Sequence, residues 1–124
     1  MIREIRFYKN YFIEFYIAQD IKVQEKIEYT FKLIRTVERV PEKFLKHIKT
    51  TDGLYEIRIK YRSDIFRIFC CFDEDRVVIL FNAFQKKTQK TPKKEIEKGL
   101  KLKQEYFGIK KKTNHENYKR RQDI

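Results

Sequence analysis

A chain of 124 residues has room for one compact core, so any site it carries must be assembled on a single domain. With 41% hydrophobic and 15% aromatic residues and only 3 Gly and 2 Pro, it is neither disordered nor fibrous, and no apolar stretch approaches the roughly 20 residues that span a bilayer. Thirty Lys and Arg against eighteen Asp and Glu leave a formal net charge of +12, which points to a polyanionic partner.

The opening Ile2-Arg3-Glu4-Ile5-Arg6-Phe7-Tyr8 alternates well enough to predict a short strand. Arg3 and Glu4 are unlike the start of a secretory leader, so a cytoplasmic protein is expected, neither secreted nor membrane-inserted. Asn10 is placed to cap a brief helix carrying Phe12, Phe15 and Tyr16. From Asp20 onward, Val23, Ile27, Phe31, Ile34 and Val37 recur at helical spacing and form one apolar stripe on an otherwise charged helix. That helix is expected to stop near Pro41; Glu42 to Ile48 then suggests one or two further helical turns, and Thr50-Thr51-Asp52-Gly53 a turn.

The period next changes to alternation. Tyr55, Ile57, Ile59 and Tyr61 fall on one face of a strand, and Glu56, Arg58 and Lys60 on the other. A second strand covers Ile65 to Phe72, Asp73-Glu74-Asp75 makes a hairpin turn, and Val77 to Phe81 is apolar enough to be covered on both faces. Cys70 and Cys71, neighbours in a strand, point to opposite faces and are expected to stay unpaired in a reducing compartment. Thr91-Pro92 before Lys93, Lys94 and Glu95 has the pattern of a helix start, with Thr91 as N-cap. Ile96, Leu100 and Phe107 give that helix an apolar side, and Gly108 is expected to end it. Residues 109–124 are then a basic, disordered tail to a domain of residues 1–108. The fold class is α+β: a small antiparallel sheet of the N-terminal strand plus a three-strand meander, a helical hairpin on one face, and a C-terminal helix.

The charge is unevenly placed. Lys86 to Arg121 holds fourteen Lys and Arg against four Glu, whereas residues 1–85 hold sixteen against thirteen acids. Arg58 and Lys60 on one strand, Arg67 on the next, and Lys86 and Lys87 at the end of the third can converge on a phosphodiester. The bland alternative is a solvated sheet face on which Glu56 pairs with Arg58 or Lys60. Lys90, Lys93 and Lys94 extend the run from a loop after the central strand, where Phe84 offers a base-stacking platform, and Lys46 adds a further RNA contact. His47, between Lys46 and Lys49, and His115 in the tail are weaker candidates. The Cys and His residues have no metal-ligand spacing, and there is no glycine-rich phosphate loop or Ser-His-Asp set, so neither metal nor cofactor is expected. RNA cleavage is still within reach, because the ribose 2′-hydroxyl is itself the nucleophile. Lys86 or Lys87, with a pKa lowered by neighbouring cations, can take its proton while Arg58 and Arg67 hold the phosphate oxygens.

Three motifs, Asp52-Gly53-Leu54-Tyr55-Glu56-Ile57-Arg58, Phe66-Arg67-Ile68-Phe69 and Phe84-Gln85-Lys86-Lys87-Thr88-Gln89-Lys90-Thr91-Pro92, resemble in order and spacing the HigB branch of the RelE/ParE toxin superfamily, the phage-derived Gp49-like proteins, over about residues 1–107. The resemblance implies a RelE-like fold and the toxin of a type II toxin–antitoxin pair. Such a toxin cleaves mRNA in the A site of the 70S ribosome, is neutralised by a HigA-like helix-turn-helix antitoxin, and binds promoter DNA through that complex. It places Arg58, Arg67, Lys86 and Lys87 at basic positions of the relatives' active site. RelE relatives carry lysine where this chain has Glu56, and often finish the site with a C-terminal tyrosine or histidine, for which Tyr106 is only a loose match. Alternatives are a ParE-like binder of DNA gyrase and a non-catalytic basic module that binds RNA or the ribosome.

Overall fold

The computed structural model describes residues 2–122, with side chains described through Thr113. The elements run β1 (Glu4–Phe7), α1 (Tyr11–Ile17), α2 (Ile21–Thr36), β2 (Leu45–His47), β3 (Tyr55–Tyr61), β4 (Asp64–Asp73), β5 (Val77–Lys86) and α3 (Lys93–Gln122). The strands form one sheet in the order β1-β5-β4-β3-β2, with α1 and α2 packed on one face and α3 on the other.

Of the predicted stripe Val23, Ile27, Phe31 and Ile34 are buried, packing against Ile57, Ile59, Phe66 and Ile68 of the sheet, whereas Val37 is the extended C-cap residue and the helix ends at Thr36, short of Pro41. Asp20 caps the helix by accepting the Lys22 N–H at 3.0 Å. At its other end the Arg3 guanidinium donates to the carbonyls of Ile34, Val37 and Glu38, placing a cation where the helix dipole is negative. The meander of β3, β4 and β5 is antiparallel, and β5 is covered on both sides, Val78 and Leu80 entering the α2-side cluster and Ile79 and Phe81 the α3-side cluster. Cys70 and Cys71 are free, buried and divided between those two clusters; burial pushes both thiols up, that of Cys71 to about 12.

Four further features differ from the sequence-based expectation. The sheet is mixed, because β1 pairs with β5 in parallel, Glu4 opposite Val77. The antiparallel rule belongs to strands joined by tight turns, whereas the chain leaves β1 through both helices and three strands before it returns as β5. The segment expected to add helical turns supplies a fifth strand instead. A single turn closed by Phe44 N–H to Pro41 O gives way to β2, which pairs with β3 from Leu45 opposite Ile57 to His47 opposite Tyr55. The Thr50–Gly53 turn makes this possible: the Thr51 hydroxyl bonds Ile48 O and the Leu54 N–H, and Gly53 sits at φ +80°, so the chain doubles back and Leu45 packs on the core.

The third difference is in β5, which continues to Lys86, so Phe84 and Lys86 stand on the sheet and not in a loop. Between Ile68 and Cys70 the register slips, so that Phe81 and Asn82 together face Phe69. The extra residue changes the phase of the strand. Ala83 faces α2 while Phe84, and with it Lys86 two residues on, faces α3. Asn82, turned under α3, donates to the Glu95 carbonyl and carboxylate at 3.1 and 3.0 Å.

The fourth is α3, which starts at Lys93 with the Pro92 carbonyl accepting the Ile96 N–H, one residue later than Thr91 as N-cap implies. It passes through Gly108, where the sequence pattern places its end, and runs to Gln122. A helical glycine costs about 1 kcal/mol, which the good helix formers around it absorb, and Lys110 fixes the helix by bonding Asp73 Oδ1 at 2.6 Å. Residues 123 and 124 and the side chains beyond Thr113, that of His115 included, lie outside the described residues.

Two predictions concern how α3 is held. A Cβ at Gly99 would stand 2.9 Å from Phe69 Cδ2 and 3.2 Å from both Asn82 Oδ1 and Leu54 Cδ2. Gly99→Ala gains about 1 kcal/mol of helix propensity, but overpacking of roughly 1–3 kcal/mol outweighs it, so a lower thermal midpoint is expected, lower still for Gly99→Val. At the other end of the sheet Asp73 accepts from the Tyr106 hydroxyl at 2.5 Å and from Lys110. Burial alone would raise the Asp73 pKa, yet the Lys110 and Tyr106 hydrogen bonds bring it below the usual carboxylate value. A depressed carboxylate stabilises the fold above its unfolded pKa and loses that contribution as pH falls through the folded one. Stability is therefore expected to drop on acidification below about pH 4, and Asp73→Asn should flatten that acid limb in denaturant titrations.

Candidate functional site

The α3-facing side of the sheet carries charge where its neighbours carry core. Strand pairing sets Arg58 opposite Arg67 and Arg67 opposite Phe84, so Glu56, Arg58, Arg67 and Lys86 share one face at the Lys86 end of the sheet. Glu56 is only 8% exposed and Arg67 only 6%. The Glu56 carboxylate lies 3.3 Å from Arg58 Nε and 3.5 Å from Arg67 Nε, and Arg67 Nη1 donates to Phe66 O. Both Nε–H groups are buried without a hydrogen-bond acceptor, so charge, more than hydrogen bonding, holds the arginines to Glu56.

Three cations against one carboxylate leave the cluster with a surplus of two positive charges in a partly desolvated place. Burial lowers the Arg67 pKa, Glu56 opposes that, and Arg58 adds to it. Burial likewise lowers the pKa of Lys86, and the Arg67 and Arg58 charges lower it further against the pull of Glu56. Such a lysine gives up its proton more readily than a solvated one, and such arginines prefer an anion within reach.

Beside this cluster opens a cleft of about 420 Å³. Arg58, Lys60 and Arg67 line it, as do Lys26 of α2, Lys43 of the turn before β2 and Arg62 of the β3–β4 turn, with Phe44, Ile59 and Ile65 as its apolar lining. Among the described residues no acidic side chain lines it. Lys26, Lys43 and Arg62 were not legible as site residues: each is one charged residue in a polar segment, and only the fold brings their three segments together. Glu56, read as a mere surface partner, is instead the buried hub.

Of the residues singled out in the sequence, Arg58, Arg67 and Lys86 come together and Lys60 lines the adjoining cleft. Lys46 is the strand partner of Glu56 and shares its face. Lys87, Lys90, Lys93 and Lys94 are exposed along the connection to α3 and its first turn, a basic flank outside the cleft lining. Phe84 is half-buried, its ring edge-on to Phe69 at 5.2 Å, so it belongs to the α3-side core. His47 is on β2, not in a helical segment, and faces α2 with Tyr55, its Nε2 3.0 Å from Thr51 O. Tyr106 bonds Asp73 at the opposite end of β4, six residues from Arg67 and thus about 20 Å along the strand, which removes it as a member of this cluster. Among the described residues no group of three or more His, Cys, Asp and Glu side chains gathers.

The arrangement suits a singly charged phosphodiester that becomes doubly charged as it reacts, since two forked donors and a lysine of lowered pKa share one face of the sheet. No helix among the described residues is long and apolar enough to cross a membrane. No curated protein matches the sequence. The model of the family described as "Phage derived protein Gp49-like (DUF891)" matches residues 14–104, a stretch that takes in α2, the whole β2–β5 region and the first turns of α3, and with them every residue of the cluster. The chain therefore belongs to the phage-derived Gp49-like family of the RelE/HigB-like toxin group, a toxin-like protein of the toxin–antitoxin type.

Proposed function

We propose that the protein is a type II toxin with a RelE-like fold that cleaves mRNA in the A site of the translating ribosome. The observation that carries the reading is the half-buried cluster of Glu56, Arg58, Arg67 and Lys86, whose surplus of positive charge adjoins a cleft lined by further cations. Lys86 takes the proton of the ribose 2′-hydroxyl, whose oxygen attacks the adjacent phosphorus. Arg58 and Arg67 hold the non-bridging oxygens as their charge rises. The bond to the 5′ oxygen breaks, that oxygen takes a proton from the exposed Lys87 ammonium or from water, and the products end in a 2′,3′-cyclic phosphate and a 5′-hydroxyl. The nucleophile and the leaving group both belong to the RNA, so the protein's part is orientation, proton transfer and charge. Lys46, Lys60, Lys90, Lys93 and Lys94 hold the flanking backbone in this scheme.

The family points to an antitoxin partner. We take it to be a helix-turn-helix protein that joins the toxin on promoter DNA, and the site of action to be the cytoplasm. A gyrase-binding toxin of the ParE kind has no need of two arginines and a lysine gathered beside a basic cleft, so the cluster favours the nuclease. The test is to add purified protein to translating ribosomes and map the ends of the mRNA. Cuts within the A-site codon bearing cyclic phosphate ends are expected. Intact mRNA together with inhibited gyrase supercoiling would transfer the protein to the ParE reading.

A further inference from the structure

We infer that the cleft beside Arg58 is a nucleotide subsite, in which Phe44 stacks on the base next to the scissile phosphate and Lys26, Lys43 and Arg62 hold that nucleotide's backbone. The inference rests on the RNA-cleaving reading above and adds to it a second place where the substrate is gripped. Several independent observations support it. The cleft, about 420 Å³, falls within the roughly 300–1,000 Å³ of small-ligand sites. Its lining joins one aromatic ring and two isoleucines to cations and no acid, which matches a flat apolar base carrying an anionic phosphate. Three of the cations arrive from separate segments, and among the described residues Lys26, Lys43 and Arg62 form no ion pair, each lying instead over an aromatic ring (Tyr29, Phe44 and Tyr61), so like charges converge with no acid to neutralise them. The cleft also adjoins the cluster through the backbone. The Arg58 N–H donates to Phe44 O at 2.8 Å, so the ring is fixed one strand away from the arginine that faces the phosphate. The short β2, from Leu45 to His47, leaves the outer edge of the later part of β3 without a strand neighbour, and the cleft lies along that uncovered edge.

The test uses a short single-stranded RNA made non-cleavable by 2′-deoxy substitution at the cut position, and its copies made abasic at each of the two flanking nucleotides, titrated into the full-length protein. Base stacking on an aromatic side chain is worth enough that Phe44→Ala should weaken binding roughly five- to a hundredfold. Removing the stacked base should weaken the wild type by a similar factor and Phe44→Ala hardly at all. Phe44→Leu, which keeps the apolar volume of the cleft, should behave like Phe44→Ala, separating lost stacking from lost folding. Lys26→Ala or Lys43→Ala should reduce the slope of log affinity on log salt by about 0.7 for each phosphate that the side chain neutralises. Wild-type affinities that are equal for intact and abasic RNA, or an abasic penalty that persists unchanged in Phe44→Ala, would overturn the subsite. Cleavage on ribosomes is scored in parallel: loss of stacking with Arg67-dependent cutting intact rejects the subsite alone, whereas stacking without any cutting rejects the nuclease alone.

Discussion

Arg67→Ala should lower the single-turnover rate of mRNA cleavage on ribosomes by two to three orders of magnitude, the usual effect of removing one preorganised donor from a developing oxyanion. Arg67 is the most enclosed of the cations, 6% exposed, with one Nη fixed on Phe66 O, so its fork is already oriented before substrate arrives. Orientation set in advance is what makes such a donor effective, because nothing need be reorganised as charge builds on the phosphate. Lysine should not substitute: Arg67→Lys keeps the charge but loses the planar fork, and is expected to recover little of the rate. Denaturant unfolding run beside the kinetics separates chemistry from fold. An Arg67→Ala protein that folds cooperatively and still cuts at the wild-type rate would remove Arg67 from the mechanism.

Glu56→Gln is expected to have the second largest effect, and one of a different kind. The carboxylate is the only acid in contact with Arg58 and Arg67 among the described residues, and without its charge three cations repel one another in a poorly solvated place. Breaking a fully buried ion pair costs about 3–5 kcal/mol; with the Arg58 side chain 32% exposed, a loss of roughly 2–4 kcal/mol is expected here. RNA binding should not weaken, because the face loses its one negative charge, while kcat should fall as the arginines lose their fixed positions. The Glu56 charge also holds the Lys86 pKa up against burial and the arginines. Its removal lets that pKa fall further, and a base that must be neutral then works at lower pH. The ascending limb of the pH–rate profile should therefore move toward acid. A residue of purely structural importance would lower stability without moving that limb.

Local patterns carried most of the fold. The α2 stripe from Val23 to Ile34 and the alternation from Tyr55 to Tyr61 each state a period and a buried side, and both elements formed where that predicts. The alternation also put Glu56, Arg58 and Lys60 on one face, and the short β3–β4 turn then set Arg67 beside Arg58. What failed depends on distant partners. Leu45 to His47 is too short to show a period, and becomes a strand only because β3 has an unpaired edge to offer. The direction of β1 depends on where the chain returns some seventy residues later. Gly108 carries a helix-ending residue type, but the hold of Lys110 on Asp73 keeps the helix going. The cleft was illegible for a similar reason, since Lys26, Lys43 and Arg62 share no motif and meet only across three segments.

The Phe81-Asn82 bulge bears on how this chain can change in evolution. It is the point at which β5 carries one residue more than β4 requires, so deletion of Asn82 would leave Lys86 on the same side, opposite the same neighbours. A deletion between Ala83 and Gln85 would instead draw the next residue into the place of Lys86, and that residue is Lys87. Tandem lysines behind a strand with built-in slack make the ammonium at this position tolerant of small insertions and deletions, whereas Arg58 and Arg67, paired with each other across the unbroken β3–β4 ladder, have no such reserve. In a lineage of such toxins the two arginines should hold fixed alignment columns while the lysine wanders by one.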